Sequence, residues 1–117
     1  MEALWLFSYY DFIITGDLGH IGKEILTELA MDKGYNIKSN YNDCGVLVVD
    51  KESQDTHSGG SGCACCGTVF SGYLFEQLKT KKLNKILLIA TGALTNATSS
   101  QQGESIPGIA HAVSIEV

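Results

Sequence analysis

The chain has 117 residues, 44% of them apolar and 18% charged, with a formal net charge of −5. That balance describes one folded domain with a real core and excludes a disordered segment. All eight basic residues are lysines, so there is no basic stripe to bind nucleic acid and no bidentate arginine clamp for a carboxylate; a bound anion must rely on backbone N–H, hydroxyl, amide, His or Lys donors.

Met1 to Thr15 is apolar and aromatic but carries Glu2 and Asp11. It lacks a basic leader and a small-residue cleavage site, and it is shorter than the roughly 20 apolar residues of a membrane span. No signal peptide or transmembrane segment is expected. Asp11 to Thr15 reads as a short buried strand ending at Gly16. Asp17 is placed as the cap of the next helix, where Ile21, Ile25 and Leu29 recur at four-residue spacing and predict the apolar face. Gly34 is the expected C′ stop. Tyr35 to Cys44 reads as polar turns, Val46 to Val49 as a strand and Asp50 to His57 as loop.

The most informative stretch is His57-Ser-Gly-Gly-Ser-Gly-Cys-Ala-Cys-Cys-Gly67, which runs straight into Thr68 to Leu78. It reads as a glycine-rich loop opening a helix whose apolar face is Val69, Phe70, Tyr73, Leu74 and Leu78. Glycines let the backbone approach a ligand closely, and the first N–H groups of a helix are unpaired and partly positive. Together they suit a carboxylate or phosphate. The same glycines serve equally well for close backbone packing with no ligand.

Lys85 to Ala90 is the strongest strand, aliphatic on both faces. Gly92 to Gly108 shows no periodicity, and so long a loop in a compact domain is often functional. Ile109 to Val117 closes the chain as a strand, with the last two strands expected antiparallel. The element order predicts an α/β fold with a mixed sheet and packed helices.

Candidate ligand-binding residues follow from this layout. Gly59, Gly60 and Ser61 form the loop; His57, before it, is a further donor, and an isolated loop His is more often simply exposed. Asp17 sits at the pocket edge if it is not purely a cap. Gln101, Gln102 and Glu104 are the lid candidates in the long loop. Of the four cysteines, three crowd into Cys63-Ala-Cys65-Cys66. Neighbours this close on a helix point apart and fit neither a disulfide framework nor a tetrahedral metal site, so they read as reduced packing residues in a cytosol-like compartment. Asp50, Glu52 and Asp55 do not make an EF-hand calcium loop. No metal site and no cofactor is expected.

Three segments resemble the stage V sporulation protein AD family of spore-forming Firmicutes: Tyr10-Asp-Phe-Ile-Ile-Thr-Gly-Asp-Leu-Gly19, Gln54-Asp-Thr-His-Ser-Gly-Gly-Ser-Gly-Cys-Ala-Cys65, and Ala90-Thr-Gly-Ala-Leu continuing through Ser100 to His111. The resemblance runs from about Tyr9 to the C-terminus and leaves Met1 to Ser8 unmatched. It implies a thiolase-like fold, of which residues 1–117 would be a single partial domain, the C-terminal part of the second half. It further implies a role in binding dipicolinic acid, free or as its calcium chelate, and moving it into the spore. The implied setting is the forespore or spore, peripheral to the inner membrane, with other stage V sporulation membrane proteins as partners.

The enzymes of that fold draw a His and an Asn from this half. Those positions fall near Gly16 and Gly60, so the resemblance implies that acyl-transfer machinery is missing. The alternatives are a thiolase-like acyltransferase working through a cysteine and a structural docking subunit. A half-fold also leaves an apolar face uncovered, so the isolated chain is expected to aggregate or to form a homodimer.

Overall fold

The structure, a computed structural model, describes residues 8–93 and 97–117. Four strands form one mixed sheet in the order β2-β1-β3-β6, where β1 is Phe12–Thr15, β2 Tyr41–Asp43, β3 Lys85–Ile89 and β6 Ala112–Glu116. β1 runs parallel to both β2 and β3, while β6 runs antiparallel to β3 with Ile86 opposite Ile115 and Leu88 opposite Val113. The expected α/β class, the strands at β1 and β3 and the antiparallel closing pair are all present. A short second ladder pairs β4 (Gly92–Ala93) with β5 (Gly108–Ile109), and the segment between them holds helix α4 (Ala97–Gln101) where no periodicity had suggested one.

Helix α1 (Gly19–Asp32) covers one sheet face, packing Leu26 and Ala30 near Ile13, Ile37, Tyr41 and Leu87. Its end is as expected. Gly34, at φ +92°, donates to Met31 O while Tyr35 N–H reaches back to Ala30 O, the paired bonds of a Schellman stop. Its orientation is not as expected, because Ile21, Ile25 and Leu29 face outward at 65%, 52% and 53% exposure. The helix is seated instead by its smaller side: Gly19 lies against Ser58, and Leu26 and Ala30 meet the sheet.

The opposite face is covered by α3, a continuous helical rod built from Cys65–Val69, a π-helical turn at Phe70–Leu74, and Phe75–Lys79. The π turn has a sequence cause. The buried residues Cys65, Val69, Leu74 and Leu78 are spaced four, five and four apart, and one extra residue in the middle turn keeps all of them on the core side. They pack on Ile14 and Ile86, both wholly buried, each such side chain stabilising the fold by roughly 1.5–3 kcal/mol. Tyr73, expected on this face, is 47% exposed.

The region around Val46 departs most from expectation. The strand is Tyr41–Asp43, in the stretch that reads as polar turns, and Cys44–Leu47 is a single helical turn, α2. The fully buried Asp43 carboxylate accepts from Gly45 N–H at 2.9 Å and starts that turn, overriding the strand preference of Val46 to Val49.

Candidate functional site

The chain reverses direction beyond the carboxyl ends of β1 and β3, and the glycine loop arrives at that edge. Two carboxylates organise the junction. Asp43 accepts from Thr15 Oγ1 at 2.5 Å, Leu18 N–H at 2.8 Å, and Gly19 and Gly45 N–H at 2.9 Å each. It therefore satisfies the start of α1, whose remaining early N–H groups on His20 and Ile21 go to Ser58. Asp17 is not the cap of α1: the cap position is Leu18, with no side-chain bond.

Asp17 instead reaches across to the glycine loop. Its Oδ2 accepts from Ser61 Oγ and from Gly62 N–H, both at 3.0 Å, and its Oδ1 accepts from Thr91 Oγ1 at 2.5 Å. Thr91 Oγ1 in turn accepts from Asp17 N–H at 3.1 Å. Partial burial pushes the Asp17 carboxyl up, but the bonds from Thr91, Gly62 and Ser61 outweigh it and hold the group below its ordinary value. The donors expected to receive an external carboxylate thus receive an internal one.

A hollow of about 310 Å³ opens over this knot, lined by Gly16, Asp17, Ser61, Gly62, Cys63, Cys66, Ala90 and Thr91. Of the expected site residues it gathers Asp17 and Ser61. Gly59 and Gly60 lie beneath, packed on Gly45: Gly60 N–H donates to Gly45 O at 2.7 Å, and a Cβ at Gly59, where φ is +125°, would stand 2.5 Å from Gly45 O. Their role in the fold is close backbone packing. His57 is turned to solvent among residues of the Lys51–His57 loop, 4.0 Å from Asp55. Gln101, Gln102 and Glu104 are exposed and do not line the hollow. Thr91, which ties the end of β3 to Asp17, is not among the residues expected at the site; its one signal in the sequence is that it directly follows the strongest strand.

Gly16 and Gly60, which the resemblance sets against the enzymes' His and Asn, are both closely packed. A side chain at Gly16 would meet Thr91 Oγ1 at 2.6 Å, and one at Gly60 would run into Val48. Cys44 and Cys65 are buried, and burial pushes both thiols up, away from the reactive thiolate. Among the described residues no group of three or more His, Cys, Asp or Glu is placed to hold a metal ion, and no helix is long and apolar enough to cross a membrane.

The sequence profile of the stage V sporulation protein AD family matches residues 5–116. The chain belongs to that family. The match starts ahead of Tyr9 and takes in part of the stretch expected to fall outside the resemblance. The chain is also 43% identical over 107 residues to the stage V sporulation protein AD of Bacillus subtilis (strain 168), an alignment covering 92% of this chain and 31% of that protein. It therefore spans about a third of the length of the relative it matches.

Proposed function

We propose that this chain is the C-terminal part of a non-catalytic sporulation protein with a thiolase-like fold, and that the protein binds dipicolinic acid for its uptake into the spore. The family match over residues 5–116 carries the reading. Three features of the site support this reading. The hollow lies at the carboxyl ends of parallel strands, where open α/β sheets seat ligands, and at about 310 Å³ it lies at the small end of ordinary ligand sites. Gly16 and Gly60 offer no side chain for proton transfer, and a larger residue at either would need Thr91 or Val48 to move. Asp17, held ionised by three hydrogen bonds, is a poor proton carrier near neutral pH.

The same ionised Asp17 selects the form of the ligand. Free dipicolinate is a dianion and meets a like charge at the floor of the hollow, whereas its calcium chelate carries compensated charge and does not. Calorimetric titration of the full-length protein should give tighter binding of dipicolinate with calcium than without, and Asp17→Asn should narrow that difference. His57→Ala should leave binding unchanged. No heat of binding in either condition would defeat the reading.

A structural docking role within a spore membrane assembly is favoured by one observation, the outward Ile21, Ile25 and Leu29 row on α1. Under that reading Ile25→Glu in the full-length protein abolishes capture of stage V membrane partners while dipicolinate titrations show no binding with either variant.

A further inference from the structure

Cys63 and Cys66 stand at a Cys-x-x-Cys spacing on the way into α3 and, against the expectation that the clustered cysteines point apart, both border one hollow. The chain turns tightly between them: Cys65 N–H donates to Gly62 O at 3.1 Å, Ala64 is at φ −96° and ψ −6°, and Cys65 is already helical. Two consecutive residues of that conformation bring the flanking Cα atoms within about 7 Å. This reaches the separation, roughly 4.4–6.8 Å, that a disulfide spans. Both residues line the hollow over Asp17, Cys63 exposed and Cys66 half-buried. The other two thiols are placed differently. Cys44 and Cys65 are buried, and burial with the neighbouring Cys66 and Cys65 thiols pushes the Cys44 thiol up.

We propose that Cys63 and Cys66 are a reversible dithiol–disulfide site at the rim of this hollow, oxidised by small organic disulfides. The Cys63 thiolate attacks one sulfur of the reagent, forming a mixed disulfide and releasing one thiol. The Cys66 thiolate then attacks Cys63 Sγ and expels the second thiol. Two cysteines are oxidised, one disulfide is reduced, and the two cysteine protons leave on the two released thiols. Bridging four residues constrains the unfolded chain little, so the bond adds little stability and is easily reversed. With Asp17 in the hollow and a net charge of −5 on the chain, a cationic reagent is favoured over an anionic one.

The test treats the folded chain with cystamine, blocks remaining thiols with iodoacetamide under native and then denaturing conditions, and maps tryptic peptides. Cleavage after Lys38, Lys51 and Lys79 leaves Cys44 on one peptide and Cys63, Cys65 and Cys66 together on another. The expected product has lost two of the four thiols, with the bond internal to the second peptide, and dithiothreitol restores them. Cys65→Ser keeps the bond, whereas Cys63→Ser, a change at an exposed position, stops at a cysteamine adduct or does not react. A bond linking the two peptides, a bond that survives Cys63→Ser, or four thiols still alkylatable after cystamine would overturn the proposal. Circular dichroism of each variant before oxidation confirms that an unreactive one is still folded.

Discussion

Replacing Asp43 by Asn is the sharpest test of how the junction is held. The carboxylate is fully buried and accepts four hydrogen bonds, from Thr15, Leu18, Gly19 and Gly45. Asn keeps the shape but has one acceptor oxygen. Its best orientation points the carbonyl at Gly19 and Gly45 and the amide at Thr15, whose hydroxyl can accept. Leu18 N–H then faces a donor and goes unpaired, at a cost of about 1–3 kcal/mol. The two retained bonds fall from charge-assisted to neutral and lose about half their strength, or roughly 0.5–1.5 kcal/mol each. The sum, about 2–6 kcal/mol, is a large share of the roughly 5–15 kcal/mol that holds a domain together. Urea titration followed by far-ultraviolet circular dichroism should show the midpoint falling sharply with little change in slope. Asp43→Ala, which strands all four donors, should be worse still. An Asn variant within about 0.5 kcal/mol of the parent would refute the idea that this carboxylate organises both helix starts.

Three further outcomes follow from the same geometry. Gly59→Ala forces a side chain at φ +125° and 2.5 Å from Gly45 O, and should lower the thermal midpoint by several degrees, a loss of about 1–3 kcal/mol. Ile25→Gln, on the outward face of α1, should change stability by less than about 0.5 kcal/mol, whereas Ile14→Ala in the core should cost about 2–5 kcal/mol; the reverse order in urea titrations would mean that α1 is turned the other way. Because the Asp17 pKa is depressed on folding, its contribution to stability is present above the ordinary value of 3.8 and is lost as pH falls through the folded value; carbon-detected NMR titration should place the group below 3.8, and Ser61→Ala combined with Thr91→Val should raise it.

The sequence by itself determined what local patterns encode. The Ile and Leu runs of β1 and β3 are continuous because both faces of a parallel strand are buried, and Gly34 ends α1 because only glycine takes its positive φ cheaply. It also made the glycine loop conspicuous and carried the family resemblance. The tertiary structure decided what depends on which partner wins. Tyr41–Asp43 is a strand because β1 offers it a ladder, and Val46 lies in a helical turn because Asp43 captures Gly45 N–H. The outer face of α1 follows from the seating of Gly19 on Ser58, contacts made across the fold. The tip of the glycine loop reads in sequence as an empty anion receptor. Asp17, more than forty residues earlier, fills it, since a carboxylate already in the chain loses far less freedom on binding there than an anion from solution.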